Sequence, residues 1–366
     1  MPDRLESRTR RTTLKIVSVV GARPQFVKLA PIATAMAGRV DHVIVHTGQH
    51  YDELMSDVFF RDLGIPQPNV NIAVGSGRHG EQTAGMLRGL EPVLDDQAPD
   101  WVLVYGDTNS TLAAAVAAVK LHLPVAHLEA GLRSFNRRMP EEHNRVLTDH
   151  AADLLLAPTV AAMDHLQAEG LASRALLVGD VMTDVLYATR DRALADGALG
   201  ADGQNPGSYY LATIHRPDNT DDPGRLRAIL GALARLDRPV ILLAHPRLRA
   251  IAERHRIDLE QGALRVADPL PYPALIAAVD GSAGVITDSG GLQKEAFLLR
   301  VPATTIRPET EWAETVELGW NALANDPGAI GAAVTRPAPE PTDVAPYGDG
   351  HAADRVVDAL LERARP

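Results

Sequence analysis

The chain of 366 residues contains no cysteine and few aromatic side chains. Without cysteine, disulfides, thiolate metal sites and cysteine nucleophiles are excluded. Aromatic residues make up only 4% of the chain while apolar residues make up 45%, so we expect a sizeable core built from aliphatic side chains and alanine. The length is too great for one typical domain and suits two.

The sequence also lacks a long apolar run and an excess of positive charge. No uninterrupted apolar run approaches the roughly 18 residues of a membrane span, and the polar start does not resemble a secretory signal. We therefore expect a cytoplasmic protein with no membrane partner and a disordered N-terminus at 1–13. The net charge of −11 argues against nucleic acid as a partner. Lysine is scarce, with four in the whole chain.

Apolar runs that end in glycine or turn residues alternate with helical patterns along the chain. This alternation is typical of a parallel sheet with helices on both faces. It breaks near 190–208, where Gly, Ala, Asp and Asn-Pro-Gly cluster, and then restarts. We therefore predict an α/β fold with two Rossmann-like domains, at 14–190 and 208–345, followed by a last helix near 351–363. The predicted strands are 14–20, 43–46, 101–105, 125–128, 154–157, 209–214, 240–244, 284–287 and 303–306. The other predicted helices are 25–36, 111–121, 144–150 and 292–298.

Two cations follow the first predicted strand. Arg23 and Lys28 lie just after Gly21, and Pro24 suits the first position of a helix. Both cations would then lie near a helix N-terminus, which itself attracts anions. The alternative is a tight strand-to-helix turn with two solvated cations. Because lysine is so scarce, we favour a role in anion binding.

Three acidic residues follow later strands of the first half. Asp107 comes after the strand at 101–105, Glu129 after the strand at 125–128, and Glu141 precedes a helical stretch. Ligands of open parallel sheets bind outside the carboxyl ends of the strands, so these acids can converge there. Paired carboxyl groups shift each other's pKa and can divide acid and base roles. Alternatively, Asp107 caps a helix and Glu141 is a first-turn acid.

The second half places histidines and a glycine turn at its strand ends. His215 and His245 each end a predicted strand, and Ser289, Gly290 and Gly291 form a turn that opens a helix. Such a turn offers N–H groups to phosphate oxygens. Glu295, one helical turn further on, is placed to hold a ribose diol. None of the 13 histidines shows the two-histidine spacing of a zinc hydrolase, so we expect no metal and no other cofactor.

Ordered motifs make the chain similar to a known family. Together they resemble the non-hydrolysing UDP-N-acetylglucosamine 2-epimerases, over nearly the whole chain. The motifs are Gly21-Ala22-Arg23-Pro24-Gln25-Phe26-Val27-Lys28, His46-Thr47-Gly48-Gln49-His50, Gly106-Asp107-Thr108, Glu129-Ala130-Gly131-Leu132-Arg133, Pro140-Glu141-Glu142-His143-Asn144-Arg145, His215-Arg216 and Asp288-Ser289-Gly290-Gly291-Leu292-Gln293-Lys294-Glu295-Ala296.

The resemblance implies a fold, a reaction and a set of site residues. The fold is of the glycosyltransferase-B type, with the segment 346–366 crossing back to the first domain, and the site lies between the domains. The reaction eliminates UDP across C1–C2 to give a 2-acetamidoglucal and then adds UDP back. We also expect a homodimer. The implied catalytic residues are Asp107, Glu129, Glu141 and His215. The implied UDP-sugar ligands are Arg23, Lys28, Arg145, His245, Ser289, Gly290, Gly291, Glu295 and Arg307.

The sequence leaves the substrate and the activity open to alternatives. Many family members have Arg-Pro-Glu where this chain has Trp312-Ala313-Glu314, and Arg307 is the nearest replacement for that arginine. We expect UDP-N-acetylglucosamine as substrate, because its recognition needs no further group. The alternative is UDP-2,3-diacetamido-2,3-dideoxyglucuronate, whose C6 carboxylate Arg137 or Arg138 would bind. Alternatives of another class are a glycosyltransferase on the same fold and a non-catalytic UDP-sugar-binding module.

Overall fold

The structure is a computed structural model that describes residues 13–49, 65–196 and 205–363. The motif residue His50, most of the predicted disordered start and residues 197–204 of the predicted linker lie outside these ranges. The chain divides into two compact units. Unit 1 comprises Met1–Val185 and Ala345–Pro366, and unit 2 comprises Leu186–Val344. Unit 2 is therefore inserted in sequence between two parts of unit 1.

Unit 1 contains a seven-stranded parallel sheet in the order β3-β2-β1-β4-β5-β6-β7. Its strands are β1 (Lys15–Val20), β2 (Asp41–His46), β3 (Val70–Asn71), β4 (Trp101–Tyr105), β5 (Val125–Leu128), β6 (Leu154–Ala157) and β7 (Ala175–Leu177). Its helices are α1 (Arg23–Met36), α2 (His79–Gln97), α3 (Asn109–Lys120), α4 (Pro140–Ala151) and α5 (Val160–Ala168), and α6 (Val181–Ala195) leads into unit 2.

Unit 2 contains a six-stranded parallel sheet in the order β10-β9-β8-β11-β12-β13. Its strands are β8 (Tyr210–Thr213), β9 (Val240–Leu243), β10 (Leu264–Ala267), β11 (Gly284–Thr287), β12 (Ala303–Thr305) and β13 (Asn321–Leu323). Its helices are α7 (Pro217–Thr220), α8 (Pro223–Leu233), α9 (Pro246–His255), α10 (Tyr272–Asp280), α11 (Gly290–Leu298), α12 (Ala313–Glu317) and α13 (Ile330–Val334). The predicted α/β architecture with two Rossmann-like sheets is confirmed.

Both sheets reverse their strand order at one point. In unit 1 the order reverses between β1 and β4, and in unit 2 between β8 and β11. A crevice forms outside the carboxyl ends of the two strands at such a reversal, because their connections leave toward opposite faces. Ligand-binding side chains are therefore expected in four loops, those after β1 and β4 in unit 1 and those after β8 and β11 in unit 2.

Aliphatic side chains and alanine fill the core of unit 1. On α3, Ala113, Ala114 and Ala118 are fully buried, so the helix packs closely on the sheet. The last helix, α14 (Ala352–Arg363), packs on α1 and buries Val356 and Leu360 in the same cluster as Phe26, Leu29 and Ile32. Burial of each such aliphatic side chain stabilises the unit by roughly 1.5–3 kcal/mol. The final helix thus completes the core of unit 1.

Candidate active site

Gln25 joins the two loops at the strand reversal of unit 1. Its side-chain oxygen accepts the N–H groups of Gly21 at 2.8 Å and Ala22 at 3.0 Å. Its amide nitrogen donates to the carbonyl of Tyr105, the last residue of β4, at 2.8 Å. Sequence reasoning assigned Gln25 no role, because the N-cap residue Ala22 lacks the side-chain acceptor of a capping box. Arg23 begins α1 from this turn, and its side chain is exposed.

Lys28 on α1 is paired with the carboxylate of Glu129. Burial lowers the pKa of Lys28, but Glu129, Asp180 and Asp107 together raise it above its ordinary value. Lys28 is therefore a permanent cation between two of the predicted catalytic acids. Glycine is favoured at position 106 beside this pair, because its φ is 61° and a Cβ would lie 3.1 Å from Oε2 of Glu129 and 3.3 Å from Nζ of Lys28.

Glu129 occupies the left-handed backbone region, with a φ of 72°. This conformation costs a residue other than glycine about 1–2 kcal/mol. The turn is held in place because the N–H groups of Glu129 and Ala130 both donate to the carbonyl of Leu156 on β6, at 3.1 and 3.2 Å. Strained residues persist only where the surroundings over-determine them, and they cluster at functional sites. The backbone strain of Glu129 is consistent with a role for its carboxylate.

Asp107 forms an ion pair and does not cap a helix. Its Oδ2 lies 2.5 Å from Nη2 of Arg145 on α4. The cap of α3 is Thr108, whose hydroxyl accepts the N–H of Thr111. Asn144 fixes the backbone beside the carboxylate by donating to the carbonyl of Asp107 at 2.9 Å. The capping alternative for Asp107 is therefore wrong, and the carboxylate is available for chemistry.

The two glutamates at the start of α4 have different surroundings. Glu141 is exposed, whereas Glu142 is buried and accepts the N–H groups of Ser134 and Phe135 at 2.9 Å. Burial raises the pKa of Glu142, but these hydrogen bonds and Arg145 outweigh it and hold the pKa below its usual range. Glu142 therefore anchors the loop before α4. The role of Glu141 stays a prediction.

A cavity of about 680 Å³ lies beside Asn144 in unit 1. Three helices, α2, α3 and α4, have their first residue in the lining of this cavity. These residues are His79, Asn109 and Pro140. None of its described lining residues is acidic. The lining residues are His79, Gly80, Thr83, Ala84, Leu87, Asn109, Arg137, Arg138, Pro140, His143 and Asn144. Three helix N-termini and two guanidinium groups make this cavity favourable for an anion.

A second cavity, of about 530 Å³, lies at the carboxyl edge of the unit 2 sheet. It brings together five of the residues predicted to bind substrate or act in catalysis: His215, His245, Ser289, Gly291 and Glu295. Ser289 precedes the N-terminus of α11, and its own N–H donates to the Thr287 hydroxyl at 2.9 Å. Gly290 belongs to the same turn.

Asp288 holds the His215 turn in unit 2. Its side chain is fully buried, and its carboxylate accepts the N–H groups of His215 at 3.1 Å and Arg216 at 3.0 Å. Nδ1 of His215 also lies 3.1 Å from Asp288. The side-chain amide of Asn219 also donates to Oδ2 of Asp288 at 3.0 Å. These bonds fix the loop after β8 against the loop after β11.

Glu295 and Tyr272 form a hydrogen-bonded pair in the unit 2 cavity. The Tyr272 hydroxyl donates to Oε1 of Glu295 at 3.0 Å. Burial raises the pKa of Glu295, and the Tyr272 bond partly opposes this shift. Burial and Glu295 together raise the pKa of Tyr272, which therefore stays a donor. Sequence reasoning missed Tyr272, because nothing distinguishes it from an ordinary residue at a helix start.

Arg307 lies apart from the cavity that holds Glu295. Its Nη1 donates to Glu311 at 2.7 Å, and it lines another polar cavity together with Arg216 and Arg225. The unusual Trp312 instead contacts the glycine turn, since its indole N–H donates to the carbonyl of Gly290 at 2.7 Å. A UDP contact by Arg307 therefore stays a prediction.

The following statements hold for residues 13–49, 65–196 and 205–363, the part of the chain that the structure describes. No helix there is both long and apolar enough to cross a membrane. No cluster of three or more His, Asp or Glu side chains with the spacing of a metal site occurs within the same ranges.

Comparison with known proteins places the chain in a family. A family model for UDP-N-acetylglucosamine 2-epimerase matches residues 33–361. The chain belongs to this family. The UDP-2,3-diacetamido-2,3-dideoxy-D-glucuronate 2-epimerase of Pseudomonas aeruginosa is 45% identical over 361 residues, which cover 95% of this chain and 100% of that protein. The epimerase family indicated by the ordered motifs is thereby confirmed.

Solved structures support the same conclusion. The UDP-GlcNAc 2-epimerase of Methanocaldococcus jannaschii superposes with a TM-score of 0.85 at 35% identity, over 95% of this chain and 100% of that chain. The calicheamicin glycosyltransferase CalG4 superposes with a TM-score of 0.56 at 16% identity, over 97% and 100%. At this identity the glycosyltransferase shows a shared two-domain α/β fold and nothing about the reaction of the epimerase chain.

Proposed function

We propose that this epimerase inverts C2 of a UDP-linked 2-acetamido sugar by eliminating UDP and adding it back. Inversion requires that a proton leave one face of C2 and return to the other, which two positioned carboxyl groups can do. Asp107 and Glu129 are the candidates, because both follow neighbouring strands and each is paired with a cation, Arg145 or Lys28. This pair of cation-bound carboxylates carries the proposal.

The leaving UDP requires stabilisation of its developing negative charge. In unit 2, the turn of Ser289, Gly290 and Gly291 offers N–H groups at the N-terminus of α11, and His215 is held beside it by Asp288. Glu295 lies in the same cavity with a carboxylate that suits the ribose hydroxyls. In unit 1, Lys28 supplies a permanent cation. We assign the diphosphate to the groups of unit 2, and the resemblance makes Lys28 and Arg23 of unit 1 further candidate ligands.

The proposed sugar is 2,3-diacetamido-2,3-dideoxyglucuronate. Sequence analysis alone favoured N-acetylglucosamine, because that sugar needs no further group for its recognition. The 45% identity to the Pseudomonas aeruginosa epimerase supports the glucuronate instead. The structure supplies a second argument, because the unit 1 cavity offers a place for a C6 carboxylate. Arg137 and Arg138 line it, and its Asn144 also holds the backbone of Asp107.

Hydrogen bonding inside this cavity leaves a donor on His79 and fixes the position of Arg137. The amide of Asn109 donates to Nδ1 of His79 at 3.1 Å, so the other ring nitrogen of His79 carries a hydrogen. Nε2 of His143 donates to the carbonyl of Arg137 at 2.9 Å, which ties that loop residue to α4. A neutral hydroxymethyl group at C6 would gain little from such surroundings, whereas a carboxylate gains charge-assisted bonds.

Deuterium incorporation at C2 in deuterated water tests the reaction and the sugar. We expect incorporation from the diacetamidoglucuronate without an acceptor or an added cofactor, and a kcat/KM at least about tenfold above that for UDP-GlcNAc. A glycosyltransferase would need an acceptor, and a binding module would give no exchange. No exchange with either sugar would remove the proposal.

The double variant Arg137→Ala/Arg138→Ala tests the carboxylate site. We expect it to abolish the preference for the glucuronate while leaving the rate with UDP-GlcNAc within about threefold of wild type. The matched control is Arg88→Ala, an exposed arginine of α2 outside the cavity lining. A preference for the glucuronate that survives in the double variant would place the carboxylate elsewhere. A preference for UDP-GlcNAc in the wild type would restore the simpler substrate.

A further inference from the structure

Asp149, on α4, is a fully buried carboxylate with hydrogen bonds on both oxygens. Oδ1 lies 2.6 Å from Nδ1 of His127. Oδ2 accepts the N–H of Gly131 at 3.0 Å and Nη1 of Arg133 at 2.7 Å. Burial raises the pKa of Asp149, but His127 and Arg133 outweigh it and hold the pKa below its usual range, so the group is ionised. One side chain thus gathers three donors from the segment around β5.

His127 extends this network to the loop after β4. Its Nε2 lies 2.7 Å from the carbonyl oxygen of Gly106. Because a carbonyl can only accept, Nε2 carries a hydrogen and donates it. Nδ1 faces an ionised carboxylate, so it also donates. His127 therefore connects the Asp149 carboxylate to the Gly106 carbonyl.

The two ends of this network reach the turns that carry the candidate catalytic carboxylates. Gly106 immediately precedes Asp107, and Gly131 lies two residues after Glu129 in the strained turn. Arg133 is itself held by a two-pronged contact with Glu169, at 2.7 and 2.8 Å, so the network is rigid on its far side. The proposed epimerase mechanism assigns no other role to Asp149 or His127.

We propose that Asp149 is a positioning residue that sets the distance between the Asp107 and Glu129 carboxylates, acting on one turn through His127 and on the other directly. The proposal rests on the proposed epimerase function. Catalytic groups must be held within a fraction of an ångström of their productive geometry, and buried hydrogen-bonded side chains of this kind provide that precision. Asp149 touches no substrate, so loss of its contacts should affect turnover more than binding.

Two substitutions separate the geometry of the network from its charge. Asp149→Ala removes all three contacts. Asp149→Asn can keep them: its oxygen accepts from Gly131 and Arg133, and its NH₂ group donates to a neutral His127, which still donates from Nε2 to Gly106. A positioning role therefore predicts that alanine impairs the enzyme and asparagine restores it.

The control is Asp100→Ala in the same sheet. The Asp100 carboxylate accepts the N–H of Lys15 at 2.8 Å, at the amino ends of β1 and β4 and so at the opposite edge from the catalytic turns. Its substitution also removes a carboxylate–backbone bond and should lower the melting temperature. It should leave kcat within about twofold of wild type, because the catalytic turns are undisturbed.

The readouts are steady-state kinetics and backbone hydrogen exchange of the full-length enzyme. We expect Asp149→Ala to lower kcat at least about tenfold, with KM and the affinity for UDP within about threefold, and Asp149→Asn to recover kcat to within about threefold. Amide exchange over residues 106–109 and 129–133 should accelerate in the alanine variant alone. If that variant does not fold, His127→Ala takes its place with the same kinetic criteria and faster exchange over 106–109. It removes the bonds of His127 to Asp149 and Gly106 and leaves Asp149 bound to Gly131 and Arg133.

Two results would overturn the positioning role. One is an Asp149→Ala enzyme whose kcat falls no more than that of Asp100→Ala. The other is an Asp149→Asn enzyme as slow as the alanine variant while both turns exchange at the wild-type rate, which would assign the effect to charge. Failure of the epimerase proposal itself is distinguishable, because wild type would then incorporate no deuterium at C2 while the backbone exchange still reports on the turns.

Discussion

Nη2 of Arg145 lies 2.5 Å from Oδ2 of Asp107, although the two residues are 38 positions apart in sequence. The guanidinium is mostly buried and also contacts Glu142 at 3.1 Å, so it is fixed in place by two carboxylates. Because a charge-assisted bond of this kind orients both partners, Asp107 presents its remaining oxygen lone pairs in one direction. In the proposed mechanism, this ion pair orients Asp107 for proton transfer.

Asp107→Asn should lower the rate of C2 deuterium exchange by roughly 10²-fold or more, the scale of general acid–base groups. The amide keeps the size of the side chain and a contact with Arg145, so the affinity for UDP should change little. Asp153→Asn is the control, since Asp153 is exposed and its carboxylate accepts the Val125 N–H at 2.9 Å. An Asp107→Asn enzyme with near-normal turnover would reduce Asp107 to a structural role.

Glu142→Gln should destabilise the protein by about 2 kcal/mol at pH 7, because a buried charged acceptor of two backbone N–H groups is lost. The folded-state pKa of Glu142 lies below its ordinary value, so its stabilising effect is present above the unfolded pKa and is lost as the pH falls through the folded pKa. The variant should therefore show a smaller loss of stability between pH 7 and pH 3 than wild type.

Denaturant unfolding at several pH values measures this difference. The matched control is Glu141→Gln, one residue earlier and exposed, which should change the free energy of unfolding by less than about 0.5 kcal/mol. Equal effects of the two substitutions would contradict the anchoring role of Glu142.

Tyr272→Phe should move the acid limb of uridine binding to higher pH. Ribose hydroxyls donate best to an ionised Glu295, and the Tyr272 hydroxyl lowers the Glu295 pKa by a hydrogen bond. Without that bond the pKa rises further, so binding weakens at a higher pH as the solution is acidified. Calorimetry with uridine avoids the titration of a phosphate. Tyr187→Phe, which loses a bond to the Leu298 carbonyl, should leave the pH profile unchanged.

Asp184→Ala should weaken the attachment of α14 to unit 1. The buried carboxylate accepts the first N–H groups of that helix, from Ala352 at 3.2 Å and Ala353 at 2.9 Å. Loss of a helix cap costs about 0.5–2 kcal/mol, so the melting temperature should fall and proteolysis near the C-terminus should accelerate. Asp354→Ala, at an exposed first-turn position of the same helix, is the control. Unchanged proteolysis would contradict the capping role.

Buried strands were the elements that the sequence predicted most accurately. The strands at Trp101–Tyr105 and Gly284–Thr287 match their predicted bounds, because fully apolar runs are bounded by turn residues. The helix His79–Gln97 was not predicted at all. Its pattern is diluted by three internal glycines and by Pro92, although it buries Met86, Leu90 and Leu94. Because this helix was not predicted, the cavity lined by its first residue, His79, was not predicted either.

The sequence predicted candidate site residues only where they belong to a family motif or directly follow a predicted strand. Asp107 and Glu129 follow strands, so their place at the sheet edge could be inferred. Gln25 and Asp149 act through partners distant in sequence, such as Tyr105, 80 residues from Gln25. A buried polar side chain with long-range partners has the same local pattern as a solvated one. The sequence therefore predicted the acidic residues at the edge of the sheet and missed the buried side chains that hold their turns in place.

The insertion of unit 2 within the sequence of unit 1 has a consequence for biosynthesis. Ribosomes synthesise a chain from its N-terminus to its C-terminus, and domains generally fold as units during synthesis. Here the whole of unit 2 emerges before Val356 and Leu360, which cover Phe26 and Leu29 of α1. We therefore expect unit 1, whose synthesis begins first, to complete its core after unit 2, with the apolar face of α1 exposed to chaperones until α14 has been synthesised.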